Sequence, residues 1–294
     1  FLARHIASRA LDLGWHVTAL AREALQHEIC PGSDLLVANP SDNESVTQTL
    51  RGRPFEYVIN CSGAIDHSSF FEGGSNTLIS KLVGTINIVR SLDRSALHRY
   101  VNLGSSEIYG QLPSPQYESL TDDPETPYAF GNLQATKFLE TLYRSDKFPG
   151  VSLLLFLVYG PGQTLPRLLP SIVADVLNGK SVKLRSPDHR KDFLFVEDFL
   201  DALFRALTAS GVLGETINIC TGMPTSVEAF AKHVLAALGR GQLEMLASAP
   251  RQTDNSCMFG DNSKARALLA WSPRISLVEG IERTVRARLN EVGP

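Results

Sequence analysis

An apolar run that turns abruptly into small and hydroxylated residues constrains this chain more than any other feature. Tyr100-Val101-Asn102-Leu103 leads straight into Gly104-Ser105-Ser106-Glu107-Ile108-Tyr109-Gly110. Such a run reads as a strand buried on both faces of a parallel sheet, its carboxyl end opening into a site. In doubly wound α/β sheets, ligands sit beyond the carboxyl ends of the strands. Twenty-three residues after Ser105, Tyr128 opens a helical pattern through Leu133, Phe138, Leu139 and Leu142. A strand-end hydroxyl and a phenol on the first turn of the next helix can converge on one substrate oxygen. That arrangement suits hydride chemistry at a carbinol or ketone, where one proton moves with each hydride.

The other apolar segments extend the same architecture. Residues 1–13 read as an amphipathic helix with Leu2, Ile6, Ala10 and Leu13 on one side, ended by Gly14. Strands are predicted over 15–20, 35–38, 57–60, 151–158 and 216–220, and long helices over 78–92 and 128–144. A helix that feeds a parallel strand needs a strand before it to complete a βαβ unit, so the pattern expects a first strand ahead of Phe1. The loop Tyr159-Gly-Pro-Gly-Gln-Thr-Leu-Pro166 marks departure into a smaller lobe. Beyond it, helices are predicted over 168–177, 199–207, 227–238, 262–269 and 277–289, with strands at 181–184, 192–196 and 243–246. The fold expected is a doubly wound parallel sheet with helices on both faces. Residues 1–163 form its core, completed by about 190–222, and residues 164–189 and 223–294 form the second lobe.

A chain of 294 residues can bury a large core in one two-lobed unit. The net charge of −3, with both signs interspersed, gives no basic stripe for nucleic acid or a membrane surface. Cys30, Cys61, Cys220 and Cys257 show no paired spacing and read as reduced, mostly buried thiols of a cytoplasmic protein. Seven scattered histidines suggest no metal site, and the longest apolar runs are only strand-length.

Five segments resemble the extended short-chain dehydrogenase/reductase family, the NAD-dependent epimerases, dehydratases and ketoreductases that act on nucleotide sugars. They are Gly104-Ser-Ser-Glu-Ile-Tyr-Gly110, Pro127-Tyr-Ala-Phe-Gly131, Val158-Tyr-Gly-Pro-Gly-Gln163 and Asp192-Phe-Leu-Phe-Val-Glu-Asp198, with Asp261-Asn-Ser-Lys-Ala265 followed by Ala270-Trp-Ser-Pro273. They span nearly the whole chain in the family's order. The resemblance implies a Rossmann-like fold, a nucleoside-diphosphate sugar as substrate, and a homodimer through helices 78–92 and 128–144. It also implies that the glycine turn cradling the cofactor pyrophosphate belongs to the expected first strand, Ala3 standing at its third small position. Arg22, with no acid at Ala21, favours the 2′-phosphate of NADP, NAD being the alternative; Arg22 can equally be a solvated loop charge. Asn39 resembles the adenine-contacting turn. Ser62, Gly63 and Ala64 would lie along the cofactor ribose and pyrophosphate.

For catalysis the resemblance selects Ser105 and Tyr128. Tyr143-Arg-Ser-Asp-Lys147 fits the same Tyr-x-x-x-Lys pattern but falls 38 residues after Ser105, too late on the helix. Four residues after Tyr128 the family has lysine, one helical turn along; here the residue is Asn132. Lys137 cannot replace it, because nine residues at about 100° each place it on the far side of the helix. Unit charges ~6 Å apart at an effective dielectric of ~20 interact by about 2.8 kcal/mol, roughly two units of tyrosine pKa. Losing that charge should leave Tyr128 near its ordinary value of about 10 and penalise oxidation more than reduction. Asn132 can still hydrogen-bond a nicotinamide ribose, and Tyr128 is an expected cofactor contact beside it. Glu107 resembles the dehydratases' extra acid/base, with a structural role as the alternative.

Ser106, Lys191 and Arg251 are the expected substrate contacts, the two cations gripping the diphosphate, with Arg190 beside Lys191. Leu157 departs from a common substrate-binding asparagine, and Lys81 stands where a helix asparagine is frequent. Asp198 and Trp271 read as structural, through helix capping and core packing. The activity expected is reduction of a 4-keto-6-deoxy sugar nucleotide, ahead of 4,6-dehydration or 4-epimerisation. The run 251–259 resembles ketoreductases that make dideoxy sugars. The rival is a catalytically weakened sugar-nucleotide or cofactor-binding relative.

Overall fold

In a computed structural model, residues 1–23, 30–63, 65–164, 166–246 and 256–292 are described. Helix α1 (Leu2–Asp12) buries Ile6 and Ala10, and Gly14 follows in the left-handed conformation at φ 79°. Strand β1 (Thr18–Ala21) pairs in parallel with β2 (Asp34–Val37). Helix α2 (Asn43–Leu50) starts where the Asp42 carboxylate accepts the N–H groups of Glu44 and Ser45. Strand β3 (Tyr57–Asn60), helix α3 (Gly74–Ser91), strand β4 (Arg99–Ser105), helix α4 (Pro127–Asp146) and strand β5 (Gly150–Leu155) then alternate. Strand β6 (Leu157–Tyr159), helix α5 (Leu168–Leu177), strands β7 (Val182–Leu184) and β8 (Arg190–Phe195), helix α6 (Val196–Thr208) and strand β9 (Thr216–Ile219) follow. The chain closes with β10 (Pro224–Ser226), α7 (Val227–Leu238), β11 (Leu243–Met245), β12 (Cys257–Met258), α8 (Ser263–Leu269) and α9 (Leu277–Val292).

Four parallel strands in the order β3-β4-β5-β9 form the central sheet. Among the described residues β1 does not pair with β3, but Trp15 stacks on Tyr57 at 5.0 Å between ring centroids. Helices cover both faces of the sheet. Val101, Leu103, Val151 and Leu153 pack with Ile6, Phe199 and Leu203 on one face. Tyr100 packs with Ile88, Val89 and Leu139 on the other. The doubly wound reading of the sequence is the fold observed.

Two expectations need correction. The apolar run 151–158 is two strands, not one. Val158 N–H donates to the Phe156 carbonyl at 2.9 Å, a three-residue turn, and β6 leaves the central sheet to pair with β8. Both halves are equally apolar, so the sequence shows no break. β8 accordingly lies in a second sheet of order β10-β8-β12. Asp198 does not cap its own helix. Its carboxylate accepts the N–H groups of Arg274 and Ile275 at 2.9 and 3.0 Å, and its carbonyl accepts the Trp271 indole at 3.0 Å. Asp198 thereby pins the segment before α9, while Trp271 is a buried core residue.

Candidate active site

Capping chemistry sets the Ser105 hydroxyl and the Tyr128 phenol in place. β4 ends at Ser105, whose Oγ accepts the Glu107 N–H at 3.2 Å and starts a short 3₁₀ turn over Ser106–Tyr109. On α4, Thr126 Oγ1 accepts the Ala129 N–H at 3.1 Å and Pro127 occupies the first turn, which puts Tyr128 at the helix entrance. A cleft of about 530 Å³ opens at the carboxyl ends of β3 and β4. It gathers Ser105, Ser106, Glu107, Tyr128 and Asn132 with Ser62 and Gly63.

The loop after β3 is held by polar side chains. Ser62 donates both its N–H, at 3.1 Å, and its hydroxyl, at 2.6 Å, to Asn60 Oδ1, and Asn60 Nδ2 donates to Thr85 Oγ1 at 3.0 Å. Gly63 has φ +117°, and a Cβ there would lie 3.3 Å from Lys81 Cδ. The bare backbone therefore borders the cleft at a position whose φ disfavours any side chain, a cradle suited to a dinucleotide.

Tyr128 is pushed up to about 12, first by burial and then by the nearby Glu107 carboxylate. Hydrogen bonds from Ser105 and Asn132 and the Arg167 cation oppose that rise. The expected value near 10 is thus too low, because it counted the missing lysine but neither desolvation nor Glu107. Asn132 is buried, and its Nδ2 donates to the Tyr128 carbonyl at 2.9 Å. Glu107 is itself raised by burial, against the pull of His67, Lys191 and Arg167. His67 Nδ1 stands 3.4 Å from Glu107 Oε2, and the imidazole meets the Tyr128 ring edge-on at 5.3 Å.

The rejected pattern is rejected by position as well. Lys147 ends α4 and lies over the Tyr143 ring at 5.2 Å. Lys137 is engaged by Asp122 and Glu140 at 3.1 and 3.5 Å. Other expected contacts lie elsewhere. Arg22 and Asn39 are exposed beyond β1 and β2 and do not line this cleft; Asn39 Oδ1 accepts the Ser41 N–H at 3.1 Å. Lys191, partly buried on β8, does not line this cleft but its charge favours the ionised form of Glu107. Ala64 and Arg251 fall outside the described residues. The thiols are less buried than expected: Cys220 is buried, Cys30 and Cys257 are partly so, and Cys61 is exposed at the open end of β3. Sequence reasoning missed His67, Arg167 and Lys81. Only Lys81 left a signal, as an odd residue on its helix.

Residues 1–220 match the NAD dependent epimerase/dehydratase family, and the chain belongs to it. Among curated relatives, UDP-glucose 4-epimerase of Mycolicibacterium smegmatis is 29% identical over 211 residues, covering 69% of this chain and 66% of that protein. The mouse dTDP-D-glucose 4,6-dehydratase is 25% identical, covering 69% of this chain and 59% of its own. Relative to these two the chain spans less than two thirds of the relative's length. GDP-6-deoxy-D-mannose reductase of Pseudomonas aeruginosa is 24% identical over 80% of this chain and 79% of its own. Among solved structures, UDP-glucose 4-epimerase of Thermotoga maritima with UDP-glucose superposes with a TM-score of 0.91 at 19% identity, over 100% of this chain and 97% of that one. RMD of Pseudomonas aeruginosa with NADPH gives 0.80 at 20% identity, over 98% and 95%.

Proposed function

We propose that the protein is an NAD(P)-dependent enzyme acting on a nucleoside-diphosphate sugar, and that it reduces a 4-keto-6-deoxy sugar in preference to dehydrating or epimerising one. The observation that carries this reading is the Tyr128 phenol, held up at about 12 beside Ser105. Such a phenol stays protonated at neutral pH and serves as an acid. A dinucleotide bound along Ser62 and Gly63 would supply the hydride. Ser105 Oγ–H polarises the sugar carbonyl, and Tyr128 donates its proton to the oxygen as negative charge develops there. The alkoxide is a stronger base than the phenolate, so the transfer runs downhill. Asn132 holds the Tyr128 carbonyl in the first turn of α4, and its proposed role toward the cofactor is a hydrogen bond to the ribose.

NADP is the proposed cofactor: Arg22 follows β1 with no acid at Ala21, although relatives of this fold carry either NAD or NADPH. Ser106, Lys191, Arg167 and Arg251 make the substrate side, with residues 164–189 and 223–294 as the substrate lobe. The unit is proposed to be a cytoplasmic homodimer, supported by apolar Ile79 on α3 and Phe130 on α4, 48% and 37% exposed. No helix among the described residues is long and apolar enough to cross a membrane.

The test supplies the full-length protein with NADPH or NADH and a 4-keto-6-deoxy sugar nucleotide, following nicotinamide absorbance and the sugar product. Consumption of one NADPH per sugar supports the reading. In a parallel assay with a 4-hydroxy sugar nucleotide and oxidised cofactor, inversion at C4 without net cofactor consumption supports epimerisation instead. Tight binding of cofactor and sugar with no turnover supports the weakened relative.

A further inference from the structure

Lys81 of α3 is 4% exposed, yet its ammonium reaches the floor of the cleft. Nζ donates to the Leu103 carbonyl on β4 at 2.7 Å and to the Ser62 carbonyl after β3 at 3.2 Å. Two glycines make room for its stem. A Cβ on Gly131 of α4 would lie 3.4 Å from Lys81 Cβ, and one on Gly63 would lie 3.3 Å from its Cδ. Lysine is almost never buried this deeply without an acidic partner. Burial brings Lys81 down to about 8, and the group that opposes this is Cys61 in its thiolate form rather than a carboxylate. An ammonium offers three donors, so the two carbonyls leave one for a ligand. On the neighbouring helix Asn132 lines the same cleft. The chain thus carries asparagine where lysine is expected, and lysine where asparagine is expected.

We infer that Lys81 supplies the cation of the cofactor site from α3, in place of the lysine absent at Asn132, and grips oxygen atoms of the bound dinucleotide. The inference rests on the reading of this cleft as a dinucleotide site. A ligand oxygen that takes the third donor, and the ligand's phosphate charge, both favour the charged form of Lys81. Binding should therefore take up a proton once the pH exceeds about 8. The sign follows directly: the free protein must be protonated at Lys81 to bind best, so affinity falls as pH rises, by at most about tenfold per unit. Among the described residues, the other titratable side chains lining the cleft are Cys61 after β3, Glu107 beside β4, Tyr128 on α4 and Arg167 before α5, with His67 next to Glu107.

Calorimetry of NADP⁺ and NAD⁺ binding to the full-length protein, from about pH 7 to about pH 9 in two buffers of different ionisation enthalpy, tests this. Wild type should show proton uptake above about pH 8, and Cys61→Ser should keep it. Lys81→Met, which retains the apolar stem, should bind at least about tenfold more weakly at neutral pH and lose the uptake. Lys81→Asn combined with Asn132→Lys should recover most of the affinity, because the cation returns from the other helix. Unchanged affinity and uptake in Lys81→Met would make Lys81 a strut between strand ends and overturn the inference. Absence of proton uptake in wild type overturns it without any variant. If neither dinucleotide binds wild type, the dinucleotide reading falls and this inference with it.

Discussion

Helices α3 and α4 line the same cleft, but only α3 brings a positive charge to it. α4 offers a phenol and a neutral amide, Tyr128 and Asn132; α3 offers a buried ammonium, Lys81. The consequence appears in the phenol. Its shift to about 12 includes Glu107 and Arg167 among its causes but not Lys81, whose Nζ is turned to the backbone of Ser62 and Leu103. A cation moved from one helix to the next can still serve a ligand, but it no longer pulls the proton from the tyrosine. The difference separates two jobs that a single lysine on α4 would combine: ligand binding and lowering of the phenol.

The largest test of that separation is Tyr128→Phe. It should cut reduction by at least about a hundredfold, the scale of a lost general acid, while dinucleotide affinity by calorimetry stays within about twofold. If turnover survives, the phenol is not the donor and the division fails. Asn132→Lys should merge the two jobs again. A cation one turn from Tyr128 favours the phenolate, so oxidation at neutral pH should rise by up to about a hundredfold and reduction far less. In the unaltered protein, oxidation through Tyr128 should climb about tenfold per pH unit across the neutral and alkaline range, since the phenol titrates only near 12. A plateau well below that pH in an initial-rate profile would show another base at work.

Smaller effects probe how the helices meet. A Cβ on Gly131 would lie 3.0 Å from Leu78 Cα as well as against Lys81. Gly131→Ala gains about 1 kcal/mol in helix propensity but costs about 1–3 kcal/mol in overpacking, so the net should be a loss of up to about 2 kcal/mol in denaturant unfolding. Glu107→Gln should have the smallest effect. Glu107 is raised in the folded protein, so its charged form is disfavoured there and its contribution to stability is lost as pH rises through the folded pKa. The glutamine variant should therefore melt slightly higher than wild type at neutral pH and no differently in acid. It should also shift Tyr128 downward, by removing the second cause of that group's rise.

Local chemistry was enough to read where Ser105 and Tyr128 sit. The apolar run ending in Ser105 and the helical pattern opened by Tyr128 place the hydroxyl and phenol at a strand end and a helix entrance, and each signal acts within a few residues. The helix over 227–238 was legible for the same reason, its Ser226 cap lying immediately before it. What required the tertiary structure is carried through space. The break at Phe156 follows from β6 finding β8, a partner more than thirty residues away. His67 meets Tyr128 and Glu107 only because the loop after β3 folds over α4. Tyr128 rises to about 12 because burial and a neighbouring carboxylate act together, neither visible as spacing along the chain. Sequence showed that Lys81 was out of place on its helix; only the packing of α3 against α4, with Gly63 and Gly131 beside its stem, decided that its charge ends inside the cleft.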